Sequence, residues 1–207
     1  MSCCDTNGLN RIFRGSYVER ERRAFLKHGL SKRQQAFFRG VDTQEKTILD
    51  IGCGVGVLGL TALQRGASHA CLIDVSHDSL RMARELSTQL GVSGAAFVQG
   101  DAAQLELPHA NVVLLDRVVC CYPNAVALLH RASDLSEHDL LFTYPLPRWW
   151  LRLGRSLLNF GMAVTRNDYR FYVHDEAELL TAAAQHGHHL ERRGRYGLWE
   201  FCHFSKG

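Results

Sequence analysis

From Thr47 to Pro145 the chain alternates short apolar runs with stretches whose apolar residues recur at helical spacing. The runs are TILDI (47–51), HACLID (69–74), AAFVQG (95–100), NVVLLD (111–116) and DLLFTYP (139–145). Helical patterns occupy 57–65, 78–90 and 123–134. Continuous apolar runs separated by amphipathic segments predict parallel strands with crossover helices, covered on both faces. After the helical segment VHDEAELLTAAAQHG, ended by Gly187, two closing runs (189–195 and 198–204) predict a hairpin turned at GRYG, Gly194 to Gly197. Ahead of the sheet, residues 11–40 predict one or two basic helices. Residues 146–172 break the alternation, with Trp149, Trp150, Leu151, Leu153, Leu157 and Leu158 making an apolar face sprinkled with arginines.

The pattern fits one domain over 1–207, with a helical cap over 1–40 and an insert over 146–172 that could cover a substrate. At 207 residues, 46% apolar and 22% charged, the composition is that of a globular rather than a disordered chain. No apolar run approaches the roughly 18 to 20 residues that span a bilayer. The first residues lack the apolar core of a secretory signal, so the expected location is cytoplasmic. The seven cysteines are odd in number and lie mostly in apolar runs, where free cysteine packs as a small hydrophobe. None forms a C-x-x-C pair, so no metal site is expected. The net charge of +3 conceals a basic first 40 residues, with nine Arg or Lys against three acids. Such a segment suits either an anionic partner or a solvated helix face.

The chemistry concentrates in KTILDIGCGVGVLGLTALQRGASHACLID, Lys46 to Asp74. A strand ending near Asp50 runs into a tight turn through Gly52, Gly54 and Gly56. Glycine there permits positive φ and lets a ligand approach without meeting a Cβ. Asp74 closes the next strand, where a carboxylate can accept hydrogen bonds from both hydroxyls of a ribose. The pattern is a nucleoside-binding crevice. GVGVLG, Gly54 to Gly59, also satisfies a G-x-G-x-x-G dinucleotide motif. Against that reading, Asp50 would repel a pyrophosphate and attract the ammonium of a methionine moiety. Asp101, just after the third strand, is placed to accept a hydrogen bond from an adenine amino group.

In these residues the chain resembles class I S-adenosylmethionine-dependent methyltransferases, over nearly all of 40–205. The resemblance implies a Rossmann-like, doubly wound α/β fold whose seven-stranded sheet has an antiparallel last strand, and S-adenosylmethionine as cofactor. It implies cofactor contacts at Asp50, Gly52, Gly54, Gly56, Asp74 and Asp101, with Cys53, Val75 and Ala102 flanking them. Asp116 and Arg117, ending the fourth strand, would lie beside the sulfonium. Asp116 could touch the cofactor or be a solvated acid, and Arg117 could pair an acceptor carboxylate or a structural acid.

The fourth strand is not followed by the Asn/Asp-Pro-Pro-Tyr tetrad of nucleic-acid amino methyltransferases, and no nucleic-acid module is attached. A small-molecule acceptor, methylated at oxygen, is expected, with no nucleic-acid partner. The second half is similar to magnesium-protoporphyrin O-methyltransferases, which esterify a porphyrin propionate, at Tyr122-Pro123, Tyr144-Pro145, His174 and Glu176-Ala177-Glu178. That family carries a His before the Tyr-Pro pair where this chain has Cys121. Its cofactor-covering Tyr has a match in Tyr17. Tyr17, His174 and Cys121 are therefore the candidate catalytic residues, and Tyr122, Tyr144, Arg148 and Trp149 the candidate acceptor contacts. Each has a plainer reading: Tyr17 packing on the sheet edge, His174 capping a helix, and Cys120 with Cys121 as buried packing. His186, His188 and His189 read as a solvated turn. A cofactor-binding regulator without transfer activity is the alternative to an enzyme.

Overall fold

The computed structural model describes residues 15–146 and 170–207. Arg148, Trp149 and nearly all of the 146–172 insert lie outside them. The described elements run α1 (Ser16–His28), α2 (Lys32–Ala36), β1 (Thr47–Ile51), α3 (Val57–Gln64), β2 (His69–Asp74), α4 (His77–Leu90), β3 (Ala95–Gln99), β4 (Ala110–Leu115), α5 (Ala125–Leu135), β5 (Ser136–Pro145), α6 (Glu176–Ala183), β6 (His188–Tyr196) and β7 (Trp199–Lys206). They form one seven-stranded sheet in the order β3-β2-β1-β4-β5-β7-β6. β7 runs antiparallel to both neighbours, and the other described pairings are parallel. No helix among the described residues is long and apolar enough to cross a membrane.

Apolar residues on both sides of the sheet explain why β1 and β4 read as continuous runs. On one face Leu49, Val113 and Leu115 pack with Leu128, Leu129 and Ala132 of α5 and Leu179 of α6. On the other Ile48, Leu72 and Leu114 pack with Phe37 beyond α2, Leu60 of α3 and Leu86 of α4. α1 attaches separately: its buried Val18 meets Val55, Val57 and Met82, and Arg22 donates to Gln89 of α4 at 2.6 Å. The strand order reverses between β1 and β4, and in such sheets a crevice opens there beyond the strands' carboxyl ends.

Three expectations from the pattern are corrected. β5 starts at Ser136 rather than Asp139, because its first residues, Glu137 and His138, are exposed and leave no apolar signature. The hairpin turns at Gly197-Leu198, with Tyr196 paired to Trp199. Gly197 takes φ +64°, whereas Gly194 stays within β6. His188 is not solvated; it is 4% exposed. Its Nδ1 lies 2.9 Å from Ser133 Oγ and its Nε2 3.1 Å from Ser136 Oγ.

Candidate functional site

At the reversal point lies a cavity of about 220 Å³. Its first wall is the glycine turn. Gly52, Gly54 and Gly56 all take positive φ, and Gly56 is the left-handed N-cap of α3. Their roles differ. A Cβ on Gly52 would stand 2.5 Å from Val118 Cγ2, and one on Gly56 2.8 Å from Leu72 Cδ2, so these two permit close packing. At Gly54 the nearest atom would be Glu21 Oε2, at 3.8 Å, so this glycine leaves space for a ligand. Gly52→Ala combines a clash with an unfavourable φ and is expected to cost about 2–4 kcal/mol in urea unfolding. Gly54→Ala should cost less stability, and the reverse order would contradict this division.

The turn is tied to the end of β2. Gly54 N donates to Asp74 Oδ2 at 2.8 Å, and Ser76 N to Oδ1 at 2.8 Å. Burial nevertheless pushes the Asp74 carboxyl up to about 6, against the pull of those backbone donors. Asp74 lines the cavity, and each carboxylate oxygen keeps a lone pair for a ligand hydroxyl. Val75, Gly100 and Ala102 continue this wall.

Asp50 and Asp101 lie outside the lining. Asp50 is 2% exposed and its Oδ2 accepts from Gly59 N at 2.9 Å. Burial raises its carboxyl to about 7. The direct contact with an ammonium expected from its sequence position is therefore not what the geometry offers. Asp101 is also buried and accepts from the chain's own donors: Tyr122 OH, Ala103 N and Gln104 Nε2. The Tyr122 hydroxyl is thus turned to Asp101, while the residue still lines the cavity. Cys53 and Gly56 are likewise behind the lining, Cys53 held by its N–H to Ile73 O at 2.9 Å.

The opposite wall comes from α1 and the end of β4. Asp116 accepts from Thr143 Oγ1 at 2.9 Å and pairs with Arg33, so it is not a solvated acid. Arg117, at φ +62°, donates from Nη2 to Glu21 Oε1 at 2.6 Å. Tyr17 OH donates to the same oxygen at 3.1 Å. Tyr17 therefore lines the cavity and does not merely pack on the sheet edge. Burial and the Glu21 charge push its phenol up. Cys120 and Cys121 also line the cavity, their sulfurs 3.7 Å apart. The Cys120 thiol is raised well above its ordinary value, first by the Cys121 hydrogen bond and then by burial.

Of the catalytic and acceptor candidates among the described residues, two are not brought to the cavity. Tyr144 is 1% exposed and accepts from Arg193 at 3.1 Å, in an ion-pair cluster with Glu176 and Glu200. His174 stacks on Tyr172 at 5.8 Å, and burial pushes its imidazole down. It does not cap α6; Asp175 does, accepting from Ala177 N and Glu178 N. Residues that sequence reasoning did not single out also line the cavity: Glu21, Phe171 and Trp199. Glu21 follows Tyr17 by four residues on one helix, a spacing that places both on one face. No group among the described residues could hold a metal ion.

Residues 42–189 match a family model described as a methyltransferase domain. A ribosomal protein L11 methyltransferase of Sodalis glossinidius is 36% identical over 128 residues, 61% of this chain and 39% of that protein. One of Klebsiella pneumoniae is 36% identical over 75 residues, 36% of this chain and 26% of that protein. The chain thus spans well under half the length of these relatives. Among solved structures, the magnesium protoporphyrin IX methyltransferase of Synechocystis with bound S-adenosylhomocysteine superposes with TM-score 0.75 at 20% identity, over 98% of this chain and 100% of that one. An S-adenosylmethionine-dependent methyltransferase of Mesorhizobium loti gives 0.66 at 15% identity, over 83% and 96%. At such identities these two share the fold.

Proposed function

The chain belongs to the methyltransferase-domain family, and from that premise we propose that it moves a methyl group from S-adenosylmethionine to an oxygen of a small-molecule acceptor, a carboxylate or a hydroxyl. The observation that carries this reading is one cavity with two kinds of wall. The glycine turn and Asp74 suit a ribose, and the apolar stretch of Val75, Gly100 and Ala102 suits an adenine. Across from them Tyr17, Cys121, Phe171 and Trp199 offer a mostly apolar acceptor side. When bound, the cofactor supplies an electrophilic methyl group on a sulfonium. The chain's own residues orient the acceptor and exclude water, so alignment carries the rate. A carboxylate acceptor needs no base, being already ionised.

The nearly complete correspondence with the porphyrin enzyme, in both directions, favours a small acceptor; propionate esterification is the narrowest form of the proposal. The curated relatives' names favour a second reading, methylation of a ribosomal protein. We assign α1 and the end of the 146–172 insert to covering the cavity, with Tyr17, Glu21 and Phe171 as their contacts.

Calorimetry with S-adenosylhomocysteine tests the cofactor assignment. Asp74→Ala should weaken binding by about 1–3 kcal/mol, the loss of charge-assisted bonds to a half-buried carboxylate. Hydroxyls donate to the ionised carboxylate, so affinity should rise as pH increases through about 6 and level off above it. Tight binding of NAD, with none of S-adenosylhomocysteine, would overturn the reading. Transfer of a labelled methyl group to organic-soluble metabolites, against purified ribosomal protein, separates the two acceptor classes. Failure of both would favour a regulator.

A further inference from the structure

We propose that Glu21 and Arg117 form the seat for the zwitterionic amino-acid end of the cofactor, ammonium on Glu21 and carboxylate on Arg117. This rests on the S-adenosylmethionine reading above and assigns a binding role to α1.

A zwitterion needs one anion and one cation side by side. Asp50 cannot supply the anion by contact, being buried behind the turn on Gly59 N. Glu21 lines the cavity. Its Oε1 is engaged by Tyr17 OH and Arg117 Nη2. Its Oε2 faces the open side of Gly54, at 3.8 Å from the position a Cβ would take. Arg117 lines the same cavity, and its Nε is buried with no hydrogen-bond partner among the described residues. A buried guanidinium N–H without an acceptor is costly, and a ligand carboxylate would relieve it.

The placement also follows the shape of the ligand. Gly54 N donates to Asp74 Oδ2, so Gly54 separates the ribose carboxylate on one side from Glu21 on the other. A cofactor whose ribose sits on Asp74 can run its amino-acid chain across the one glycine that offers room, arriving between Glu21 and Arg117. Electrostatics point the same way. Glu21 is close enough to Asp74 to help raise its carboxyl, so two acids face a shared space in which a cation is favoured. α1 is fixed to present Glu21 by Val18 in its apolar contact and by Arg22 on Gln89.

The test compares two probes on the full chain: S-adenosylhomocysteine, and methylthioadenosine, which keeps adenosine and thioether but lacks the amino acid. Glu21→Gln preserves volume and hydrogen bonding while removing the charge. It should weaken S-adenosylhomocysteine by about tenfold or more, the scale of a charge-assisted bond, and leave methylthioadenosine unchanged. Arg117→Gln should show the same selectivity. Equal losses for both probes would mean that Glu21 only braces Tyr17 and Arg117, and would overturn the proposal. So would unchanged binding of both. If neither variant folds, the parent decides: equal affinity for the two probes leaves no amino-acid seat. A parent that binds neither probe overturns the cofactor reading itself.

Discussion

Replacing Asp116 by Ala is expected to cost about 3–5 kcal/mol of stability, the cost of stranding one member of a buried ion pair. Arg33 and Asp116 have side chains only 13% and 11% exposed. Burial already lowers the Arg33 guanidinium to about 10, so its charged form is under strain even with its partner present. The pair ties α2 to the end of β4, and Thr143 of β5 completes the bonding of the acid. Removing the acid alone leaves a cation in a poorly solvated place. Removing both charges, as in Arg33→Met with Asp116→Ala, should recover much of the loss, because the double variant leaves no orphan. Urea unfolding of the two singles and the double measures the coupling. A single variant losing less than about 1 kcal/mol would show that water reaches the pair freely.

Asp50→Asn is expected to stabilise the protein, and by an amount that depends on pH. The side chain stands at the end of β1, inside the sheet's cover, where α3 begins with Gly56 and has no side-chain cap of its own. Its Oδ2 accepts from Gly59 N in the first helical turn, so it serves as a cap supplied from a neighbouring strand. The cost is a carboxyl that titrates near 7 rather than 3.8. Between those values the folded chain holds a proton that the unfolded chain has released, so stability falls as pH rises across that window and is flat above it. The full loss is on the order of 4 kcal/mol. Asparagine can accept the same Gly59 hydrogen bond without ionising. The variant should gain over the parent as pH increases, with the largest difference at about pH 8 and little at about pH 4. A gain of the same size at both ends would mean that charge is not the cause.

Much of the fold was legible because its strands are covered on both faces. β1 and β2 carry continuous apolar runs, TILDI and HACLID, and each run coincides with its strand. Legibility failed where one side meets water, at the exposed start of β5; β6 was read to within a residue at each end, and only its turn was misplaced. At the site, Gly52, Gly54 and Asp74 of the sequence pattern reach the cavity lining. Asp50 and Asp101 lie behind that lining instead, because sequence spacing gives a residue's place along a strand, not which side of the turn its oxygens face. Glu21 was within reach, one helical turn from Tyr17. Arg33 and Trp199 were not, since 83 residues separate Arg33 from its acid and only the hairpin's register brings Trp199 opposite Pro145.

The position of β7 in the sheet has a consequence for synthesis on the ribosome. β5 is made well before β7, yet β7 is the strand that pairs with it along Asp139 to Pro145. Until β7 arrives, β5 presents a free edge of unpaired amides carrying Leu140, Leu141 and Phe142, the kind of edge that invites association with another chain. β6 emerges first, but among the described residues its only strand neighbour is β7, so it cannot shield that edge. Nascent chains that stall between β6 and β7 should thus be the ones that most need a chaperone.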